Sequence, residues 1–249
     1  MKNQIILWLS SLIILFLIGY VKNVTSKDYP ITGTFGIEGK KVSYKLDKLS
    51  FDKTSYKNII ISDIEGVEGK LVWIKNEVKY ETEFQKIERG LSGEIPKLEP
   101  GQQIKYKIFL TYVDKKFEIP EKDFVTLTFW GNVPSPVNII KFILLYGGLL
   151  MSIRCVLELF NKNKNLKKYT VIVCALFILL TILIHPLYNT YKLGAINNYI
   201  PSVIELIEPL FLLIMSLWVV GAVLVFNNKF TNTVIVIITS ATILLYFLS

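Results

Sequence analysis

Val125-Thr126-Leu127-Thr128-Phe129-Trp130-Gly131-Asn132-Val133-Pro134-Ser135-Pro136-Val137-Asn138-Ile139-Ile140-Lys141-Phe142-Ile143-Leu144 holds the change of pattern that decides the fold. Up to Phe129 apolar and polar residues alternate, the period of a strand with one buried and one wet face. After Pro136 the alternation gives way to an almost unbroken apolar run. The two halves of the chain obey different solvents, and the join falls between Gly131 and Pro136.

Downstream, apolar runs cover 137–160, 169–187, 203–226 and 233–248, and a further one lies upstream at 4–21. Each is long enough for a helix to cross roughly 30 Å of hydrocarbon. Hydrophobic residues make up 52% of the 249, a share that such runs explain. The chain therefore reads as an N-terminal transmembrane anchor or signal peptide (1–25), a β-sandwich domain (26–134) and a four-helix transmembrane domain (135–249). For residues 1–25 an uncleaved anchor is favoured, because the run is long for a signal peptide and carries Trp8. A cleavage site at Val24-Thr25-Ser26 is the alternative.

Upstream of the join, Val42, Tyr44 and Leu46 alternate with Ser43 and Lys45. Ile104, Tyr106, Ile108, Leu110 and Tyr112 do so with Lys105, Lys107 and Thr111. Turn signals recur at Glu38-Gly39, Glu65-Gly66, Arg89-Gly90, Pro100-Gly101 and Asp114-Lys115. Seven to nine short strands so punctuated point to an antiparallel sandwich of immunoglobulin or fibronectin type, with Trp73 as a candidate core aromatic. The two cysteines, Cys155 and Cys174, lie in apolar runs, so a disulfide framework in this domain is excluded.

The net charge of +8 is distributed unevenly. Residues 22–136 hold nineteen basic and seventeen acidic side chains, whereas 137–249 hold eight and three. The excess flanks membrane segments, where it orients spans and meets anionic headgroups, and nucleic acid is excluded as a partner. Four lysines between Asn161 and Lys168 place that loop in the cytoplasm. Alternation then puts 26–134 outside the cytoplasm, along with 187–202 and the C-terminus.

Several short motifs resemble an uncharacterised family of bacterial inner-membrane proteins, in which a sandwich domain feeds into four helices. They are Ile95-Pro96 through Pro100-Gly101 to Tyr106, Gly131-x-Val133-Pro134, Ser152-x-Arg154-x-x-x-Glu158, and Tyr191-Lys192-Leu193-Gly194-Ala195. The resemblance implies the architecture and a bacterial inner-membrane location, and brings no activity with it. This chain has His185-Pro186 where such relatives carry Gly-Pro, and lacks the aromatic and acidic residues that follow their Gly-Ala.

Ionisable groups at membrane depth are costly unless paired or wet, so they are the candidate polar sites. Arg154 and Glu158 stand four apart on one helix face, the spacing of an ion pair. Glu205 and Glu208 open the fourth run and Lys141 the second, suggesting an interhelical Lys141–Glu205 or Lys141–Glu208 pair. His185 is the sole histidine, which excludes bis-histidine haem and multi-histidine metal sites within the chain. Gly147-Gly148 and Ser152 let helices approach closely, either within the bundle or between subunits. No G-x-S-x-G, H-E-x-x-H, C-x-x-C or P-loop occurs, and no catalytic, cofactor or metal site is expected. The residues thus describe a membrane-anchored, non-enzymatic interaction or accessory protein, docking on a protein partner or larger membrane complex. The alternative is a small transporter or ion-conducting module working through Arg154, Glu158, Glu205 and Glu208.

Overall fold

A computed structural model describes residues 2–51, 55–62, 66–161, 165–196 and 198–249. The turn expected at Glu65 and the lysines at 162 and 164 lie outside the described residues. The chain divides into two compact units. One comprises residues 1–25, 133–191 and 195–249, and the other comprises 26–132 with 192–194.

The second unit is built of two sheets. One has the order β1-β2-β4-β8-β7: Ile31–Ile37, Lys40–Leu46, Ser55–Ser62, Gly90–Pro96 and Gln85–Ile87. The other runs β3-β11-β9-β5-β6: Leu49–Ser50, Val125–Phe129, Gln103–Tyr112, Glu68–Lys75 and Val78–Glu83. Strand β10, Lys115–Ile119, pairs with the C-terminal half of β9, and β11 with its N-terminal half. All pairings are antiparallel except the short β3–β11 contact. The described strands number eleven, more than the seven to nine expected, because pieces such as β3 and β7 carry too few residues to show a period.

The alternation maps onto one shared core. Val42, Leu46, Tyr56, Ile60, Leu91 and Ile95 enter it from the first sheet. Leu71, Trp73, Ile104, Tyr106, Ile108, Leu110, Leu127 and Phe129 enter from the second. The β5–β6 hairpin turns on Asn76-Glu77, both at positive φ, a backbone that asparagine tolerates well. The Tyr56 and Tyr106 hydroxyls meet at 3.2 Å, and Tyr106 donates to Asp47 O at 2.8 Å. This link joins the two sheets and fixes the corner after β2. Burial raises both phenols above their ordinary range.

Two residues of the polar face are buried, Thr128 and Lys107. Lys107 belongs to the face read as wet, yet its side chain is only 6% exposed. Its ammonium pairs with Glu118 at 2.5 Å and donates to the carbonyls of Glu121 and Lys122. It thereby ties down the turn between β10 and β11, a role that requires the folded return of β10 over β9.

Three of the motifs singled out in the sequence meet in this unit. Gly131 N donates to Lys192 O at 2.7 Å, and the Lys192 ammonium stands 4.2 Å from the centre of the Trp130 ring. Gly194 sits at φ 65°, where a Cβ would meet Pro100 at 2.7 Å, so glycine answers both the backbone and the space.

The first unit contains five helical stretches long and apolar enough to cross a membrane: Gln4–Thr25, Ser135–Phe160, Leu166–Lys192, Pro209–Phe226 and Thr231–Leu248. They comprise α1 (Lys2–Thr25), α2 (Ser135–Leu157) ending in a 3₁₀ turn, and α3 (Leu166–Ile178). A π-helical turn, Leu179–Ile184, continues α3 into α4 (His185–Lys192); α6 (Pro209–Phe226) and α7 (Thr231–Leu248) complete the set. The fourth span begins at Pro209 and not at 203, as its apolar run suggests. Proline disfavours helical backbone in the residue before it, so Glu208 is extended and Val203–Leu206 (α5) is cut off as a single turn.

Small residues let these helices close. A Cβ on Gly148 would stand 2.8 Å from the Phe177 ring, so α3 packs directly on the α2 backbone there. Ser152 Oγ bonds back to Gly148 O, and Ser152 O accepts from Thr239 of α7. Both small residues are thus used within the chain. Buried Trp218 on α6 donates to Thr242 of α7 at 2.8 Å, and Cys174 Sγ donates to Trp218 O. These buried hydroxyl, indole and thiol groups each find a partner within the bundle.

Candidate functional site

The buried ionisable residues of the helical unit fall at two places. They lie near opposite ends of the continuous helix from Leu166 to Lys192. Nineteen residues separate Leu166 from His185, about 28 Å of helix rise. Between the clusters the bundle is filled by Phe177, Leu180, Ile214 and Trp218, all fully buried.

The first cluster centres on Arg154. Helical spacing brings Glu158 within 2.6 Å, and both side chains are inaccessible to solvent. The approach is Coulombic rather than a directed hydrogen bond, since Arg154 Nη1 and Glu158 Oε2 make none. Arg154 Nη2 instead donates to Gln4 Oε1 of α1 at 2.5 Å. Its guanidinium lies 5.4 Å from the Trp8 ring and 5.1 Å from Tyr169, two rings in edge contact that together tolerate a desolvated cation. Glu158 Oε1 accepts from Asn161 Nδ2 and from Asn165 N, both at 3.0 Å. One ion pair therefore joins α1, α2, α3 and both described ends of the loop between them. A closed arrangement of this kind, with neither charged side chain exposed, holds helices together.

The second cluster is more open. The π-helical turn places His185 with 3% of its surface exposed, its ring 4.9 Å from that of Phe211. His185 Nε2 is 3.0 Å from Glu208 Oε2, and Nδ1 is 3.2 Å from Asn189 Nδ2. Asn189 Nδ2 also donates to Leu206 O at 2.9 Å and to Glu205 O at 3.3 Å. The amide spans His185 and the break between α5 and α6. Glu208 remains about a third exposed. Glu205 faces elsewhere: it forms a capping box with Ser202 at the start of α5, so the expected Lys141–Glu205 pair does not form. The Lys141 ammonium lies 3.3 Å from the centre of the Tyr188 ring.

Sequence spacing signalled the Arg154–Glu158 pair but could not reveal Gln4, Trp8 and Tyr169, which arrive from other helices. Asn189 lies on α4 with His185, and its four-residue spacing from the histidine is a signal that the sequence does carry.

On the β domain, an open cleft of about 740 Å3 lies between strands β1 and β10. Phe35, Tyr44 and Phe117 line it, with Phe35 and Phe117 rings 5.4 Å apart. Among the described residues β1 pairs only with β2 and β10 only with β9, so each turns an unpaired backbone edge outward. No group of three or more His, Cys, Asp or Glu among the described residues could hold a metal ion.

Fold and site together describe a chain with five helices long and apolar enough to cross a membrane and a two-sheet β domain. The chain matches no family model, no curated protein and no solved structure.

Proposed function

We propose that the chain is a membrane-anchored interaction protein whose β domain binds an extended segment of a partner protein outside the cytoplasm. The observation that carries this is the cleft between β1 and β10. It pairs aromatic side chains with two strand edges, the combination by which sheets capture an extended peptide: backbone groups supply affinity and side-chain pockets supply specificity. The lysines of 161–168 support the orientation, with the loop in the cytoplasm and the domain across the membrane.

The strand order supports an immunoglobulin-type sandwich. Strands β2, β4, β8 and β7 follow one another across one sheet as A, B, E and D do in that class. β5, β9 and the β10–β11 pair do so across the other, as C, F and G do, with β6 beside β5. Trp73 on β5 is buried and stacked on Tyr80 at 4.2 Å, in the place where the class keeps its core tryptophan. The helices anchor this domain and dock it on a larger assembly, in keeping with the resemblance to inner-membrane proteins of the same layout.

Purification of the full chain from native membranes under mild detergent, with mass spectrometry of what comes with it, tests the reading. A Phe35→Ala/Phe117→Ala variant is expected to reach the membrane at the parent level and lose the co-purifying protein. A partner retained by that variant, or a parent chain that purifies alone after cross-linking, overturns it.

A further inference from the structure

The second polar cluster contains a constraint on proton positions that leads beyond anchoring. Asn189 Nδ2 donates to two backbone carbonyls, Leu206 O and Glu205 O, so the orientation of its amide is determined. The same nitrogen faces His185 Nδ1; its two hydrogens are shared among three acceptors, and because an amide nitrogen accepts nothing, Nδ1 is the unprotonated ring nitrogen. The ring proton then sits on Nε2, where the Glu208 carboxylate receives it at 3.0 Å. The network admits one tautomer of the neutral imidazole.

We propose that His185 is the proton sensor of a latch that holds α5 against α4. A second proton can enter only at Nδ1, where it meets the N–H groups of Asn189 head on. Donor against donor is relieved when the amide turns over and offers Oδ1 to Nδ1–H. The Nδ2 group then leaves the carbonyls of Glu205 and Leu206, and the single turn Val203–Leu206 loses its tie to α4. Meanwhile the Nε2–H bond to Glu208 becomes charge-assisted, so the start of α6 stays held while α5 is released.

The charges around the ring suit this role. Glu208 faces it from the α5–α6 break, and Tyr188 and Asn189 from its own helix; Phe211 covers it from α6. Lys141 of α2 lies against Tyr188, and the Glu205 carboxylate is turned to Ser202. α5 has little else to hold it, for Val203 is 70% and Ile204 85% exposed. A buried histidine placed on a weakly packed segment is the usual design of a proton switch.

His185 is the only histidine, so the full chain labelled with 15N-histidine in lipid nanodiscs gives one imidazole to follow. At about pH 8 the ring is expected neutral with the proton on Nε2. On acidification towards about pH 4 it should gain a proton at Nδ1. Protection of amides 203–208 from hydrogen exchange, taken relative to the intrinsic exchange rate at each pH, should then fall about fivefold or more with the same midpoint, the size expected for losing a hydrogen bond to a side chain. His185→Gln should abolish the step in protection. A neutral ring protonated at Nδ1, a ring that stays neutral to about pH 4, or protection that stays flat while the ring titrates would each overturn the proposal. These three readouts come from the unaltered chain, so they decide the matter even if the variant fails to fold.

Discussion

The two polar clusters of the helical unit use the same kind of residue to opposite ends. Around Arg154 every neighbour closes in: Glu158 on its own helix, Gln4 and Trp8 from α1, Tyr169 from α3, with no solvent access to either charge. Around His185 the backbone is irregular on both sides, a π turn before it and an extended Glu208 opposite, and the carboxylate keeps a third of its surface exposed. A charge that must never move is sealed by aromatic rings and short bonds. A group that changes protonation needs a path for the proton and a backbone able to yield. Charge at membrane depth is thus no single signal; its surroundings say which of the two it is.

The contrast is most easily broken at Arg154. Arg154→Ala leaves Glu158 buried and unpaired, and should lower stability in detergent by about 3–5 kcal/mol in thermal or denaturant unfolding. Arg154→Met combined with Glu158→Gln should recover most of that loss, because the charge disappears from both partners and Gln keeps an oxygen for Asn161 and Asn165. If the double variant is as unstable as the single one, the pair is not the element that holds the bundle. Next in size is Trp8→Ala, expected to cost about 2–3 kcal/mol through lost packing and an uncovered guanidinium. The same measurement reads whether α1 is held by this contact.

At the open cluster the effects should be smaller. Glu208→Gln retains an acceptor for His185 Nε2–H and should cost about 1 kcal/mol or less in the same unfolding measurement. Glu205→Ala removes the capping box of a short exposed turn and should cost about 0.5–1 kcal/mol, read most directly as faster amide exchange at 203–206. A loss at Glu205 comparable to that at Arg154 would erase the distinction between the two ends.

The β domain supplies a third case, closed like the first but neutral. Burial raises the phenols of Tyr56 and Tyr106, so the folded state holds their protons more tightly than the unfolded chain does. Their contribution is complete below the unfolded value of about 10 and falls as pH rises beyond it. Stability of this domain should therefore be flat through neutrality and decline in alkali, with no change near neutral pH. Tyr106→Phe should lower the plateau and remove part of the alkaline decline in a pH series of thermal unfolding.

Much of this was legible along the chain. The change of period at Phe129 separates sheet from membrane helix, and alternation along β2, β9 and β11 names the core residues that the structure buries. The Arg154–Glu158 contact follows from helical spacing alone. Lys107 was misread, because its burial depends on β10 returning over β9. The fourth span was drawn too long, because apolar content runs through Glu205 and Glu208 while Pro209 stops the helix.

Length and periodicity are local properties, repeated over many residues, and the solvent on each side selects the element that satisfies them. The sequence by itself therefore determined five apolar helices, a strand-rich segment between the first and second of them, and where charge would have to be buried. Which partners meet that charge was decided only by tertiary structure. Gln4 reaches Arg154 across 150 residues, and Asn189 bridges His185 to carbonyls belonging to a different helix. A hydrogen bond is set by a few ångströms and an angle, and no local pattern records which distant residue will arrive there.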